Sequence, residues 1–101
     1  MKLMTKELLK QFKHIWRQEW EKDPIVVAKF FNPCGAGTWY AIDYEEKEGM
    51  FFGYVSIFWD HCDEWGCFSL KELESLKFPW GLGIERDIHF TPARFSEIIK
   101  K

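Results

Sequence analysis

The sequence lacks any hydrophobic run that approaches the roughly 20 residues of a membrane-spanning helix. Its first stretch, MKLMTKELLKQFK, is interrupted by Lys and Glu, which is not typical of a signal peptide. The chain has only three cysteines, Cys34, Cys62 and Cys67. An odd number of cysteines, in a chain expected to be intracellular, argues against a disulfide framework. We therefore expect a cytoplasmic protein that has reduced thiols and does not enter a membrane.

Positive charge is scarce in the middle of the chain. Residues 31–66 carry one Lys and seven acidic residues, whereas residues 1–30 carry seven Lys or Arg and four acidic residues. Residues 67–101 carry six Lys or Arg and five acidic residues. Nucleic-acid phosphates are neutralised mainly by Lys and Arg. The middle segment is therefore a poor nucleic-acid surface, and only the two ends have the charge for that role.

Motifs that indicate an enzyme or a metal site are also missing. The chain has no P-loop, and its GAG and GLG triplets do not fit a dinucleotide-binding motif. In WDHCDEWGC, Asp60 and His61 lie near two cysteines, but four residues separate Cys62 from Cys67 and no second cysteine pair follows. No recognised nucleophile motif surrounds a Ser or Cys. We predict no metal, no cofactor and no catalytic residue.

What the chain does have is apolar and aromatic side chains. Of its 101 residues, 47% are hydrophobic and 19% aromatic, including six Trp and ten Phe. A chain of this length suits one small domain with a core of large rings. We therefore expect a single domain over residues 1–101. Rings in excess of the core would be available to stack on bases or to bind a protein partner.

An amphipathic helix is predicted from Thr5, which suits an N-cap, to about Glu21. Its apolar positions recur at helical spacing. Its basic residues form a separate stripe: Lys6, Lys10, Lys13 and Arg17. This stripe is either a solvated face or, under a nucleic-acid function, the phosphate-binding surface.

Four further segments predict strands: DPIVVAKFFNP near residues 25–31, TWYAIDY, MFFGYVSIFWD and WGCF. The turn EEKEG joins the second and third as a hairpin, and the third is apolar on both faces, as expected of a central strand. Ser69 and Glu72 form a capping box that opens a middle helix. Thr91 and Pro92 open a short final helix. The predicted fold is α+β, an antiparallel sheet of about four or five strands with N-terminal, middle and C-terminal helices on one face.

The stretch GLGIERDIHFTP contains three adjacent charges. If residues 84–90 are extended, alternation separates two sets, Glu85, Asp87 and His89 on one face and Ile84, Arg86, Ile88 and Phe90 on the other. Arg86 then lies in an apolar row, where a guanidinium acts as a structural clamp. The acidic set is either a solvated edge or a recognition site.

Five segments in this order resemble the domain-of-unknown-function 2958 family of bacterial and mobile-element proteins: DPIVVAKFFNP, TWYAIDY, FFGYV, EWGCFSLKELESL and GLGIERDIHFTP. The most specific are FSLKELESL and IERDIHFTP. The resemblance implies no catalytic residue. It does imply an accessory role around DNA, because similar genes lie among plasmid and conjugative-element genes.

The composition and motifs favour a non-enzymatic module that binds a protein partner. Its expected surface consists of charged and aromatic residues, Glu85, Asp87, His89, Trp39 and Trp65. Two alternatives remain open. The first is weak, sequence-independent binding of nucleic acid through Lys6, Lys10, Lys13 and Arg17. The second is an enzyme of unknown reaction.

Overall fold

The computed structural model describes residues 2–15, 17–18, 20–57 and 63–99, which form three helices and seven strands. The helices are α1 (Lys6–Ile15), α2 (Leu70–Ser75) and α3 (Phe95–Ile98). The strands are β1 (Ile25–Val26), β2 (Ala28–Phe31), β3 (Thr38–Glu45), β4 (Met50–Ser56), β5 (Glu64–Ser69), β6 (Glu85–Arg86) and β7 (Ala93–Arg94).

The main sheet is antiparallel and has five strands in the order β5-β4-β3-β2-β6. Strands β2 to β5 follow one another as a meander, and β6 returns to lie beside β2. The two short strands β1 and β7 pair separately. The predicted α+β fold is confirmed, and so is the interior position of β4, which pairs with a strand on each side.

The larger core lies between the sheet and the first two helices. Leu8 and Phe12 of α1 and Leu73 of α2 belong to it. Phe51 is fully buried, and its ring centroid lies 5.2 Å from that of Phe30. Apolar positions one helical turn apart make these helices amphipathic, so burying them against the sheet removes their apolar stripes from water.

The opposite face of the sheet has its own core. Tyr40, Ile42 and Tyr54 point to this side, where Ile99 and Phe95 cover them. The ring of Phe95 lies 4.9 Å from that of Tyr54. The prediction that all helices share one face is therefore wrong for α3. Pairing of β7 with β1 carries the end of the chain to the second face.

Helix α1 is shorter than predicted, because it ends at Ile15 instead of near Glu21. Thr5 caps it as expected, since the Leu8 N–H donates to Thr5 Oγ1. Beyond the helix, the backbone N–H of Gln18 donates to the carboxylate of Asp43 on β3. This bond directs the chain away from the helix axis towards the sheet.

The predicted strand at 25–31 is divided. Ile25–Val26 pairs with β7 and Ala28–Phe31 pairs with β3, while the Val27 N–H between them donates to Ala41 O. The final helix starts later than its Thr-Pro signal, at Phe95. Residues 93 and 94 instead form β7, because they pair with β1.

The predicted extension of residues 84–90 is correct only at its start. Ile84 is buried and Arg86 lies opposite Phe30, so these two share the helix-covered face as expected. After Arg86 the chain turns, because Asp87 Oδ1 accepts from the His89 N–H. Ile88, predicted to face inward, is consequently 61% exposed.

Candidate functional site

Residues 77–83 form a closed loop between α2 and β6, here called the Trp80 loop. Lys77 and Gly83 pair at its base, and the Phe78 N–H donates to Leu82 O at 2.8 Å. Pro79–Gly81 forms a 3₁₀ turn at the tip. Phe78 packs against the larger core. The base of the loop is therefore fixed to the fold.

Trp80 stands at the tip of this loop with 92% of its surface exposed. Its backbone is left-handed, with φ 62° and ψ 28°. A residue with a side chain pays roughly 1–2 kcal/mol for this conformation, and bulky residues rarely adopt it. Two other large apolar side chains in or beside the loop, Leu76 and Leu82, are 42% and 37% exposed. Strained backbone thus presents apolar surface to water.

The sequence does contain a signal for Trp80. It lies between Pro79 and Gly81, both turn formers, and outside every periodic apolar pattern. An aromatic residue that no helix or strand requires is a candidate for the surface. A count of the six Trp residues alone does not distinguish Trp80 from the others.

The predicted charged edge lies at β6 and the turn that follows it. Asp87 has structural partners, since its carboxylate accepts from the His89 N–H and lies 3.8 Å from Lys29 Nζ. Glu85 is half-buried and His89 is exposed. They line a shallow depression of about 380 Å³ together with Arg86 and Ile88.

The structure does not bring the two predicted tryptophans to this edge. Trp39 packs against the larger core on the helix-covered face. Trp65 is 40% exposed on the opposite face, where its ring stacks on Phe52 at a centroid distance of 6.0 Å. It lies on β5, at the other side of the sheet from β6. At about 4.8 Å per strand, these edges are roughly 19 Å apart.

The basic stripe is partly engaged with the β3–β4 hairpin. Arg17 Nη2 lies 3.1 Å from Glu45 Oε2, and Lys13 Nζ lies 3.4 Å from Glu46 Oε1. Lys6 and Lys10 are exposed on α1. Half of the predicted stripe therefore faces carboxylates that would compete with phosphates.

A larger groove, of about 660 Å³, lies where the end of α1 meets the β3–β4 hairpin. Its apolar lining comes from both faces of the sheet: Phe12 and Tyr44 lie on the helix-covered face, and Phe52 lies on the face where it stacks on Trp65. Burial raises the pKa of Tyr44, so its phenol is neutral near pH 7. Burial also raises the pKa of Tyr40, on the α3 side of the sheet, to about 12. These two phenols are hydrogen-bonding groups rather than bases at neutral pH.

Within the described part of the chain, no group of three or more His, Cys, Asp and Glu side chains is arranged to hold a metal ion. Asp60, His61 and Cys62 of the metal-like stretch lie outside the described residues. Ser69 has its predicted capping role, since its hydroxyl accepts from the Glu72 N–H. Across the described residues, no helix is long and apolar enough to cross a membrane.

These features define a small α+β fold with an antiparallel five-stranded sheet, helices on both faces and a closed loop bearing an exposed tryptophan. The chain matches the family model described as Protein of unknown function (DUF2958) over residues 3–100 and belongs to that family. No curated protein and no solved structure matches it significantly.

Proposed function

We propose that the chain is a non-enzymatic module that binds a protein partner through the Trp80 loop. The supporting observation is the combination, in one residue, of a left-handed backbone and a side chain that is 92% exposed. Strained residues persist where function requires them. Tryptophan is also, with Tyr and Arg, enriched among the energetic anchors of protein interfaces.

Trp20 provides a contrast within the same molecule. It is equally exposed, at 92%, but Trp80 is the residue with a positive φ among the described non-glycine residues. The neighbours of Trp20 in the chain, Glu21 and Lys22, are exposed charges, whereas Trp80 shares its loop with exposed Leu82. An apolar anchor beside apolar surface is typical of an interface centre, while charged neighbours are typical of its rim.

The experiment compares Trp80→Ala with Trp20→Ala as bait proteins. Each variant, once shown to be folded by its circular dichroism, is immobilised and exposed to lysate of the source organism. Bound proteins are quantified by mass spectrometry. We expect a protein that binds the wild type to be lost at Trp80→Ala and kept at Trp20→Ala, since removing an anchor costs about 2 kcal/mol or more. Equal capture by both variants would refute the Trp80 loop as the binding site.

A further inference from the structure

The groove beside the β3–β4 hairpin is separate from the Trp80 loop and has a different chemistry. Its volume of about 660 Å³ falls within the range of roughly 300–1,000 Å³ that ligand-binding clefts occupy. Met50 and Phe52 of β4 contribute partly exposed apolar side chains to its lining, whereas Phe12 and Phe51 are buried in the larger core. Apolar side chains of this size offer a surface on which another apolar side chain would be withdrawn from water.

The lining of this groove contains more carboxylates than cations. The lining contains four carboxylates, from Asp43, Glu45, Glu46 and Glu48, and two cations, from Lys13 and Arg17. The ion pair Lys13–Glu46 joins α1 to the hairpin, and Arg17–Glu45 joins the segment just after α1 to it. They also leave the lining with an excess of two negative charges. An occupant with positive charge would therefore be favoured over one with negative charge.

We infer that this groove receives a short segment of a partner protein in which large apolar side chains alternate with Lys or Arg. The apolar side chains lie against Met50 and Phe52, and the cations face the carboxylates of the hairpin, among them Glu48. The inference shares with the proposed function the premise that the chain binds protein. It uses a different surface, so the two are tested separately.

Two exposed cysteines allow a site-specific measurement. Cys67 lines the groove, whereas Cys34 lies in the turn between β2 and β3. The probe is the peptide Ac-KFKLK-NH2, and the readout is the alkylation rate of each cysteine by N-ethylmaleimide, from peptide mapping. With the peptide at about ten times its Kd, alkylation of Cys67 should slow about tenfold. Alkylation of Cys34 should not change.

Matched peptides and variants separate charge from apolar contact. We expect Ac-EFELE-NH2 and Ac-KGKGK-NH2 to protect Cys67 at least about tenfold less well. Glu48→Lys should raise the Kd of the basic peptide, whereas Glu97→Lys, at an exposed position on α3, should leave it unchanged. Trp80→Ala should also leave it unchanged, which keeps this test independent of the Trp80 loop.

The inference is overturned if Ac-KFKLK-NH2 at about 2 mM, a concentration that would detect even weak binding, gives no selective protection of Cys67. It is equally overturned if the acidic peptide protects as well as the basic one, or if Glu48→Lys and Glu97→Lys have the same effect.

Discussion

Gly53 of β4 and Gly66 of β5 lie directly opposite each other in the sheet, but the space around them differs. A Cβ atom added to Gly53 would collide with the carbonyl oxygen of Tyr40 on the next strand. A Cβ added to Gly66 would meet no heavy atom within 4 Å. The close approach of β3 and β4 therefore requires glycine at one position of the pair and not at the other.

The first prediction compares Gly53→Ala with Gly66→Ala. Because the clash at Gly53 is with backbone, the strands must separate, and we expect a loss of about 3 kcal/mol or more in the free energy of unfolding. Gly66→Ala should change it by less than about 1 kcal/mol, with a gain if the unfolded chain loses entropy. Urea denaturation of both variants checks this, and a similar loss in both would contradict it.

A second prediction concerns Gln18, of whose surface only 8% is exposed. Its Nε2 donates to Ile25 O at 2.7 Å and to Ile42 O at 3.1 Å, and its Oε1 accepts from the Ile25 N–H at 2.6 Å. Gln18→Ala would leave these buried backbone groups without their partner. We expect a cost of about 2–3 kcal/mol.

The control for Gln18 is Gln11→Ala, an exposed position on α1, which should change the unfolding free energy by less than about 0.5 kcal/mol. Thermal and urea melts of the two variants provide the comparison. If Gln18→Ala unfolds like Gln11→Ala, the side chain of Gln18 does not hold the connection between α1 and β1.

Gln18 also shows where prediction from sequence stops. The periodic apolar residues of α1 and the alternating strands β3 and β4 predict their own structure, because local spacing determines which face is buried. The end of α1 depends instead on the hydrogen bonds of Gln18 to the backbone of Ile25 and Ile42. A local sequence pattern does not predict a contact between distant segments.

The same limit applied to the ends of the other elements and to the site. Residues 93 and 94 became a strand because of a partner at 25 and 26, and the turn at Asp87 moved Ile88 outward. The amino-acid composition does not distinguish Trp39 from Trp65, yet the two lie on opposite faces of the sheet. The conformation of Trp80 is a backbone property that the PWG triplet suggests but does not specify.

A third prediction is that Arg86 is structural. It is half-buried beside Ile84 and opposite Phe30, so its stem packs at the border of the larger core. We expect Arg86→Ala to cost about 2–4 kcal/mol, because truncation removes packing and leaves a partly buried polar partner behind. Glu85→Ala, on the other face, should cost less than about 1 kcal/mol. Denaturant melts that rank Glu85→Ala as the more damaging change would contradict this.

A fourth prediction is a pH dependence at Asp23, whose carboxylate accepts from the Ser96 hydroxyl at 2.6 Å and the Ser96 N–H at 2.9 Å. These hydrogen bonds, with the charge of Arg94, lower the pKa of Asp23 below its ordinary value. A lowered folded-state pKa stabilises the fold above the unfolded-state value of about 4, and this stabilisation is lost as the pH falls through the folded-state pKa.

Asp23→Asn tests this linkage. The difference in stability between the wild type and the variant should be constant near neutral pH and should shrink as the pH falls below about 4. Urea melts at a series of pH values give both curves. A difference that grows on acidification would have the wrong sign for the proposed bonds to Ser96.

Trp80→Asn separates the two explanations for the strained position of Trp80, binding of a partner and a role in the fold. Asparagine tolerates a left-handed backbone better than tryptophan does, so the variant should be at least as stable as the wild type. The measurement is thermal unfolding of this variant beside its capture of the partner identified with the wild type. We predict an equal or higher midpoint of unfolding together with loss of capture. A lower midpoint with capture retained would show that Trp80 serves the fold and not the partner.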